Sequence, residues 1–244
     1  MIEAQGLHKR FGKTVAVEEV SFTARDGSVT ALLGPNGAGK TTSLRMLYGL
    51  LQPDSGKAMV DGTVAAADPL AAQQRLGVLP DAPGLYGRLT AREHLRYAAR
   101  LQGLSAVDAE TRAAALIERL GMEGIADRRS AGFSQGERRK IALGRALIHD
   151  PQNVVLDEPT NGLDVPSTRA MRRYVRELAD GGKCVLFSTH ILQEVTAVCD
   201  RVVIIARGRV VAEGTPDELL ARTGKTNLED AFVQLIGTEE GLGA

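Results

Sequence analysis

Short apolar runs and longer amphipathic segments divide the chain into three regions. The first and last regions carry short runs rich in β-branched residues, which predict strands. These are Ile2–Leu7, Val15–Val17, Val20–Ala24, Ser28–Leu33, Lys57–Asp61, Val154–Leu156, Cys184–Ser188, Val202–Ile205 and Arg209–Ala212. In the second half the runs are continuously apolar and alternate with helical patterns, which is typical of a buried parallel sheet.

The middle region has helical periodicity instead. Capping boxes begin at Thr90 and Ser134, each with a glutamate three residues later, and they predict helices that end near Gly103 and His149. Apolar residues at helical spacing predict another helix over Asp108–Leu120. Further helices are predicted over Thr41–Leu50, Ser167–Ala179 and Thr226–Ile236. The pattern therefore predicts α/β structure at both ends of the chain, with a helical insertion near residues 89–150.

Composition narrows the class of protein. The chain has 244 residues, of which 43% are hydrophobic and 25% charged, as expected for a globular protein with a full core. Its 30 basic residues balance 30 acidic ones, which argues against a dedicated nucleic-acid binder. No apolar run is long enough to cross a bilayer and the first residues do not resemble a signal peptide, so we expect a cytosolic protein. Cys184 and Cys199 are expected to be free thiols.

A glycine-rich loop between a predicted strand and a predicted helix is the most specific signal. Residues 34–41 match the pattern GxxxxGK[ST] in full. Glycines let successive backbone N–H groups turn towards an anion, and the helix N-terminus adds partial positive charge. We expect Lys40 to reach the β and γ phosphates of a nucleotide and the Thr41 hydroxyl to ligate Mg²⁺. The predicted nucleoside triphosphate site comprises Gly34, Pro35, Asn36, Gly37, Ala38, Gly39, Lys40, Thr41 and Thr42.

Two carboxylates and a histidine follow neighbouring predicted strands. Asp157 and Glu158 come directly after one apolar run, and His190 follows the next. Ligands of open α/β sheets bind at the carboxyl ends of the strands, so these side chains should face the phosphates. We expect Asp157 to hold Mg²⁺, usually through water, and Glu158 to act as the general base. His190 is expected to contact a γ-phosphate oxygen and the attacking water.

Two further segments are residues 134–137, which precede the acid pair, and residues 161–164, which follow it. Together with the motifs above, they form an ordered set that resembles the nucleotide-binding subunit of an ATP-binding cassette (ABC) transporter over roughly residues 2–215. The resemblance implies that residues 133–137 are the signature motif, that residues 161–164 are the D-loop, and that Phe11 stacks on adenine. The residues it adds to the nucleotide site are Phe11, Asp81, Ser134, Gln135, Gly136, Glu137 and Asp164.

The sequence departs from the family pattern at two of these places. The signature reads Phe-Ser-Gln-Gly-Glu, where the family usually has Leu-Ser-Gly-Gly-Gln. Asp81 stands where the family usually has the Q-loop glutamine, and its carboxylate is expected to ligate Mg²⁺.

The resemblance also implies a fold. The fold class is α/β: a P-loop NTPase core, made of a parallel sheet flanked by helices, with an N-terminal antiparallel β subdomain and an inserted α-helical subdomain. The whole chain, 1–244, is expected to form one nucleotide-binding domain. Its core and β subdomain take residues 1–88 and 151–215, the helical subdomain takes 89–150, and a C-terminal helical extension takes 216–244.

The implied function is hydrolysis of ATP to ADP and phosphate, with Mg²⁺, to power transport through separate integral membrane permease subunits. Two copies, or one copy and a related subunit, would hold each ATP between residues 34–42 of one chain and residues 134–136 of the other. The protein would then be peripheral on the cytoplasmic face of the membrane, with no nucleic-acid partner. Residues 77–81 and Leu228–Phe232 are similar to ABC-2 export subunits and, within them, to the sodium-efflux, NatA-like group.

Three other classes of ATPase or GTPase are alternatives to this interpretation. A soluble ABC ATPase of the cofactor-assembly type, without a transporter, would carry the same motifs. A P-loop GTPase would need an Asn-Lys-x-Asp guanine reader, which the sequence lacks. A DNA-repair or chromosome ATPase of the same superfamily would need coiled-coil arms or a DNA-binding domain, for which this chain length leaves no room.

Overall fold

Ten strands form one mixed sheet in the computed structural model, which describes residues 1–82 and 84–237. Their bounds are β1 Ile2–Phe11, β2 Thr14–Ala24, β3 Ser28–Leu33, β4 Ser55–Val60, β5 Thr63–Val64, β6 Leu76–Leu79, β7 Asn153–Asp157, β8 Cys184–Thr189, β9 Arg201–Ala206 and β10 Arg209–Gly214. Across the sheet they lie in the order β5-β4-β1-β2-β10-β9-β3-β8-β7-β6. The predicted α/β class is confirmed.

The parallel half of the sheet has β3 near its centre. β9 and β8 flank β3, β7 pairs with β8, and β6 pairs with β7, all in parallel. Every residue of β7 and β8 is buried, which explains why both read as continuous apolar runs. Asp157 lies opposite Ser188, and Leu33 lies opposite Thr189. The carboxyl ends of β3, β7 and β8 therefore meet at one edge of the sheet.

The antiparallel half consists of β1, β2, β4 and β5. A single parallel pair, Arg209 with Glu19, joins β2 to β10. The two strands predicted around residues 15–24 are one strand, β2, which runs through the exposed Glu18 and Glu19. The Gly208 carbonyl accepts hydrogen bonds from both glutamate N–H groups, and the pairing of β2 with β1 is irregular there. This irregular pairing explains why the charged pair resembles a break between strands.

Nine helices accompany the sheet within the described part of the chain. They are α1 Lys40–Leu47, α2 Pro69–Gln74, α3 Ala91–Leu101, α4 Ala106–Arg119, α5 Gln135–Leu147, α6 Val165–Asp180, α7 Leu192–Val198, α8 Pro216–Thr223 and α9 Leu228–Ile236. One buried cluster joins α1 to the sheet, and a second joins α6 and the C-terminal helices to it. A third lies among α3, α4 and α5, so these helices form a lobe with a core of its own.

Five of these elements were not predicted. β5 has only two residues, β6 has four, and α2 has six. The N-cap of α7 is Ile191, which offers no side-chain cap, so sequence gives no start signal there. α8 does carry a capping box at Thr215, which the sequence reading missed. None of the helices in residues 1–82 and 84–237 is long and apolar enough to span a membrane. Residues 238–244 of the predicted C-terminal extension lie outside the described residues.

Candidate nucleotide-binding site

The glycine-rich loop connects β3 to α1 and has little room for side chains. A Cβ atom at Gly34 would lie 2.2 Å from the Ile205 carbonyl oxygen, and one at Gly39 would lie 2.6 Å from that of Ala16. Gly39 also has a φ of 105°, which L residues rarely adopt. Only glycine fits at these two positions. The loop therefore packs tightly on the sheet, with its backbone directly before the N-terminus of α1.

Lys40 is the first residue of α1 and is 6% exposed. Its ammonium donates to the carbonyl oxygens of Gly34 at 2.7 Å and of Pro35 at 3.2 Å, and it lies 3.5 Å from Glu158 Oε1. A buried charge needs such partners. The side chain is thus held at the loop, within reach of an anion that the loop would bind.

Asp157 joins the end of β7 to the start of α1. It is 1% exposed, and its Oδ1 accepts hydrogen bonds from Ser188 Oγ at 2.5 Å and from Thr41 Oγ1 at 3.3 Å. The serine precedes the end of β8, directly across from the aspartate. The structure therefore brings Thr41 and Asp157, both predicted metal ligands, into contact.

Glu158 follows β7 in a left-handed backbone conformation, with a φ of 47°. Its N–H donates to Ser188 Oγ at 3.1 Å, which supports a conformation that non-glycine residues seldom adopt. The carboxylate lies between two cationic or polar groups, with Lys40 on one side and His190 Nδ1 3.0 Å from its Oε2 on the other. This places the predicted general base and the predicted histidine side by side.

A cavity of about 600 Å³ opens over these groups. It is lined by residues 36–42 of the loop and by Ala16, Asp81, Glu158, Asn161 and His190. The Asp81 carboxylate is not free within it: Oδ1 accepts from Arg139 Nη2 at 3.1 Å and from Asn161 Nδ2 at 3.4 Å. The cavity therefore combines backbone N–H groups, a lysine and three acidic or imidazole side chains at the carboxyl edge of the sheet.

Several residues predicted for the nucleotide site do not line this cavity. Ser134 and Glu137 form the capping box that begins α5, and Asp164 caps α6 by accepting from Ser167 N at 2.9 Å. Hydrogen bonds from Ser134 lower the pKa of Glu137. Phe11 is half exposed at the end of β1, with Lys9 Nζ 5.8 Å from its ring centroid. Within one chain, the residues predicted to bind the phosphates thus lie together at the cavity, whereas the signature residues lie outside it.

Two signature residues contact the D-loop segment instead. Gln135 Nε2 donates to the Asn161 carbonyl at 3.3 Å. A Cβ at Gly136 would meet only ordinary contacts, Ser167 Oγ at 3.7 Å and Leu163 Cδ2 at 3.8 Å, so nothing in residues 1–82 and 84–237 requires a glycine there. The absence of a Cβ is therefore not explained by packing inside the described chain.

Sequence reasoning missed four contributors. Ala16 and Asn161 line the cavity, Ser188 bonds Asp157, and Arg139 bonds Asp81. Ser188 could have been found from its position two residues before His190 on a strand adjacent to β7. Asn161 lies in the D-loop that the resemblance implies, but it was not predicted to line the nucleotide site. Ala16 and Arg139 had no local signal, because their roles come from contacts between segments far apart in the chain.

The residues at this edge fit Mg²⁺ by their chemistry. Thr41 offers a hydroxyl and Asp157 and Asp81 offer carboxylates, which are the oxygen ligands that this ion takes. No group of three or more His, Cys, Asp or Glu side chains in residues 1–82 and 84–237 could hold a metal ion.

Comparison with protein families matches residues 17–161 to the family described as ABC transporter. The chain is 43% identical over 219 residues to the ABC transporter ATP-binding protein NatA of Bacillus subtilis (strain 168), which covers 89% of each chain. It is 37% identical to the linearmycin resistance ATP-binding protein LnrL of the same organism, covering 96% of this chain and 74% of the relative. The Nod factor export ATP-binding protein I of Burkholderia lata is 41% identical, with 90% and 72% covered.

Solved structures of ATP-binding cassettes have the same fold as this chain. A structure described as the ATP binding subunit of an ABC transporter superposes with a TM-score of 0.89 at 33% identity, over 96% of this chain and 99% of the other. A dimeric ATP-binding cassette in a post-hydrolysis state, bound to ADP and Pi, shares the fold with a TM-score of 0.80 at 22% identity, over 88% and 98% of the two chains. The chain belongs to the ABC transporter family, as an ATP-binding and ATP-hydrolysing subunit.

Proposed function

We propose that this subunit uses ATP hydrolysis to power export through separate integral membrane permease subunits, and that it works as a dimer, with itself or with a related ATPase subunit. The observation that carries the proposal is the cavity at the sheet edge, where the glycine-rich loop faces Glu158 and His190. The names of the most similar relatives, which include export ATP-binding proteins, support the transport role.

The residues at the edge are given the following roles. Lys40 would exchange the carbonyl oxygens of Gly34 and Pro35 for phosphate oxygens, a charge-assisted contact that a neutral donor cannot match. Glu158 accepts a hydrogen bond from the attacking water and receives its proton as the water oxygen bonds to the γ-phosphorus. The bond from the γ-phosphorus to the β–γ bridging oxygen breaks in the same step, and ADP leaves with that oxygen and its electron pair. His190 lies beside Glu158 and would steady the water and the transferring phosphoryl group.

Mg²⁺ fits the same edge. When bound, it would neutralise charge on the β and γ phosphate oxygens. Thr41 and Asp157 would hold it, because their oxygens already lie 3.3 Å apart. Asp81 is the third candidate, and the hydrogen bonds from Arg139 and Asn161 keep its carboxylate beside the cavity.

The dimer is proposed because the signature residues lie outside the cavity of their own chain. Ser134 is exposed at the N-terminus of α5, where unpaired N–H groups and the helix dipole favour an anion. A second copy in head-to-tail, two-fold packing would bring this helix end to the γ-phosphate in the partner's cavity. Each ATP would then hold two subunits together until hydrolysis removes that contact.

A groove between the α3–α5 lobe and the sheet is the proposed binding site for the permease. It has a volume of about 330 Å³ and is lined by residues 48 and 50, which follow α1, and by residues of α2, β6, α3 and α5. Leu50 and Leu101 stand at its rim and are 71% and 70% exposed, an unusual state for leucine beside a concave surface. A short amphipathic helix of the membrane subunit fits such a groove. Sodium ions are the proposed cargo, on the likeness to NatA alone.

Glu158→Gln tests the ATPase proposal and the dimer together. The glutamine keeps the shape of the side chain but cannot accept a proton, so hydrolysis should fall by about 100-fold or more. ATP should still bind, and size-exclusion chromatography in MgATP should show a dimer that ADP does not produce. Unchanged turnover would place the base elsewhere, and a strict monomer at saturating MgATP would contradict the dimer.

The groove is tested with Leu101→Asp. This variant should lose co-purification with the integral membrane protein encoded in a neighbouring reading frame, while it retains ATP binding. Val107→Asp is the matched control, because Val107 is 75% exposed on α4 and does not line the groove. Co-purification that survives Leu101→Asp would exclude this groove. An ATPase that never co-purifies with any membrane protein would favour the soluble alternative.

A further inference from the structure

A buried carboxyl group lies one turn beyond His190 and has no part in the hydrolysis described above. Glu194 belongs to the first turn of α7 and is only 2% exposed. Its Oε2 accepts a hydrogen bond from Thr189 Oγ1 at 2.6 Å. Burying a glutamate is unfavourable unless the group serves as a partner for another polar atom. Burial accordingly raises the pKa of Glu194.

The partner of Glu194 is the residue directly before His190. Thr189 is fully buried at the end of β8, and its hydroxyl oxygen also accepts from Ile191 N at 3.0 Å. The threonine side chain therefore bonds the backbone on the far side of His190 as well as the Glu194 carboxylate. These two bonds, together with the bond from Glu194 N to the Ile191 carbonyl at 3.1 Å, close a tight turn around the histidine.

The same turn contacts the glycine-rich loop. The Thr189 carbonyl oxygen accepts from Gly34 N at 3.3 Å. His190 itself is 40% exposed and has one close polar contact in the described part of the chain, Glu158 Oε2 at 3.0 Å. Because few contacts hold the imidazole directly, its position depends on the backbone of residues 189–191.

The first turn of α7 has no side-chain N-cap. Its N-cap is Ile191, which makes no side-chain hydrogen bond. Apart from α1, whose N-cap is Gly39, every other helix in the described chain has an N-cap side chain that accepts a hydrogen bond from a backbone N–H of the first turn. In α7, the Thr189–Glu194 bond replaces the cap. A second charged group also reaches this region: Arg172 of α6 lies beside Glu194, and its buried Nε has no hydrogen-bond partner.

We propose that Glu194 is a positioning residue for hydrolysis, which acts through Thr189 to hold His190 against Glu158. The inference rests on the proposed role of His190. Glu194 itself does not line the nucleotide cavity, so it acts on the geometry of the histidine and makes no contact with ATP. Its loss should lower kcat, since small misplacements of a reacting group are costly, and leave KM for ATP nearly unchanged.

Glu194→Ala is the primary test, with Glu194→Gln and Thr189→Val beside it. The alanine variant should lower kcat by about 10-fold with less than about a 2-fold change in KM. Glutamine retains an oxygen that accepts from Thr189 and should restore most of the rate. Thr189→Val removes the hydroxyl at nearly constant volume and should reproduce the loss, while Thr189→Ser should not. Rates are divided by the concentration of ATP-binding sites, so that a loss of folded protein does not lower the measured kcat.

The decisive measurement repeats Glu194→Ala in a His190→Ala background. If Glu194 acts through the histidine, its removal should not lower kcat further in the His190→Ala background, and the two effects should not add. A second 10-fold loss in that background would overturn the inference, as would an unchanged kcat in Glu194→Ala itself. A His190→Ala variant with normal turnover would instead overturn the proposed role of His190, so the two failures are distinguishable.

Discussion

The carboxyl edge of the sheet and the N-terminus of α5 present their polar groups in opposite ways. At the edge, Lys40, Asp157 and Ser188 are buried and bonded to one another or to the loop. At the start of α5, Ser134 and Gln135 are exposed. The capping box satisfies the N–H groups of Ser134 and Glu137, whereas those of Gln135 and Gly136 have no intrahelical partner by position. The edge is organised within one chain, and the helix end presents donors to something outside it.

This difference shows how one chain can hold the phosphate-binding half of a site and still need a second molecule. Buried polar groups in the low-dielectric interior interact strongly and keep fixed positions. Exposed N–H groups at a helix end cost little while water solvates them, and they can exchange that water for an anion. Each of the predictions below alters one region and leaves the other intact.

Lys40→Ala should have the largest effect, because it removes the only lysine that lines the described cavity. The Kd for ATP should rise by about 100-fold or more, as expected for loss of a charge-assisted contact to phosphate. Isothermal titration with ATP measures this. Lys183→Ala is the control, since Lys183 pairs with Asp150 away from the cavity. An affinity for ATP close to that of the wild type would contradict the assignment.

Ser134→Arg addresses the other region. A bulky cation at the helix end should block dimer formation and reduce hydrolysis by about 100-fold, while the monomer binds ATP normally. Thr215→Arg is a matched control, because Thr215 heads an equivalent capping box on α8. Both variants lose an N-cap and should be destabilised by about 1 kcal/mol. Only the first should lose MgATP-dependent dimerisation by light scattering; equal hydrolysis in the two variants would refute the composite site.

Glu194→Gln gives the smallest effect, and it appears in the pH dependence of stability. Burial raises the pKa of Glu194 above the ordinary value for a glutamate, although the hydrogen bond from Thr189 and the charge of Arg172 oppose the shift. The carboxyl therefore stabilises the fold most below pH 4.5, and this contribution is lost as pH rises through the folded-state pKa. Glutamine cannot ionise. Urea unfolding should thus show that the free energy of unfolding of the variant increases relative to that of the wild type as pH rises from 5 towards 8. A difference that does not depend on pH would contradict the shift.

Charged neighbours face Glu194 from three elements. Arg172 lies on α6, Glu158 follows β7 and His190 follows β8. Positive charge on the His190 ring would favour the Glu194 carboxylate. The comparison is therefore repeated in the His190→Ala background, where the remaining pH-dependent difference belongs to Glu194.

Predictions from the sequence succeeded where the signal is local. The capping boxes at Thr90 and Ser134 are both present, and the strand Ser28–Leu33 has the predicted bounds. A capping box depends on hydrogen bonds within four residues, so the sequence pattern alone reports it. The short strand β6 and the uncapped helix α7 were missed, because their existence depends on pairing and burial against other segments.

Local sequence specifies the backbone of the phosphate loop, the starts of the capped helices and the order of the motifs, since sterics and short-range hydrogen bonds act between near neighbours. Which side chains meet depends on the packing of distant segments. Ser188 bonds Asp157 across 31 residues, and Arg139 bonds Asp81 across 58, because adjacent strands and the helical lobe bring those positions together. No local pattern encodes such contacts, which depend on the register of the sheet and the packing of the lobe against it.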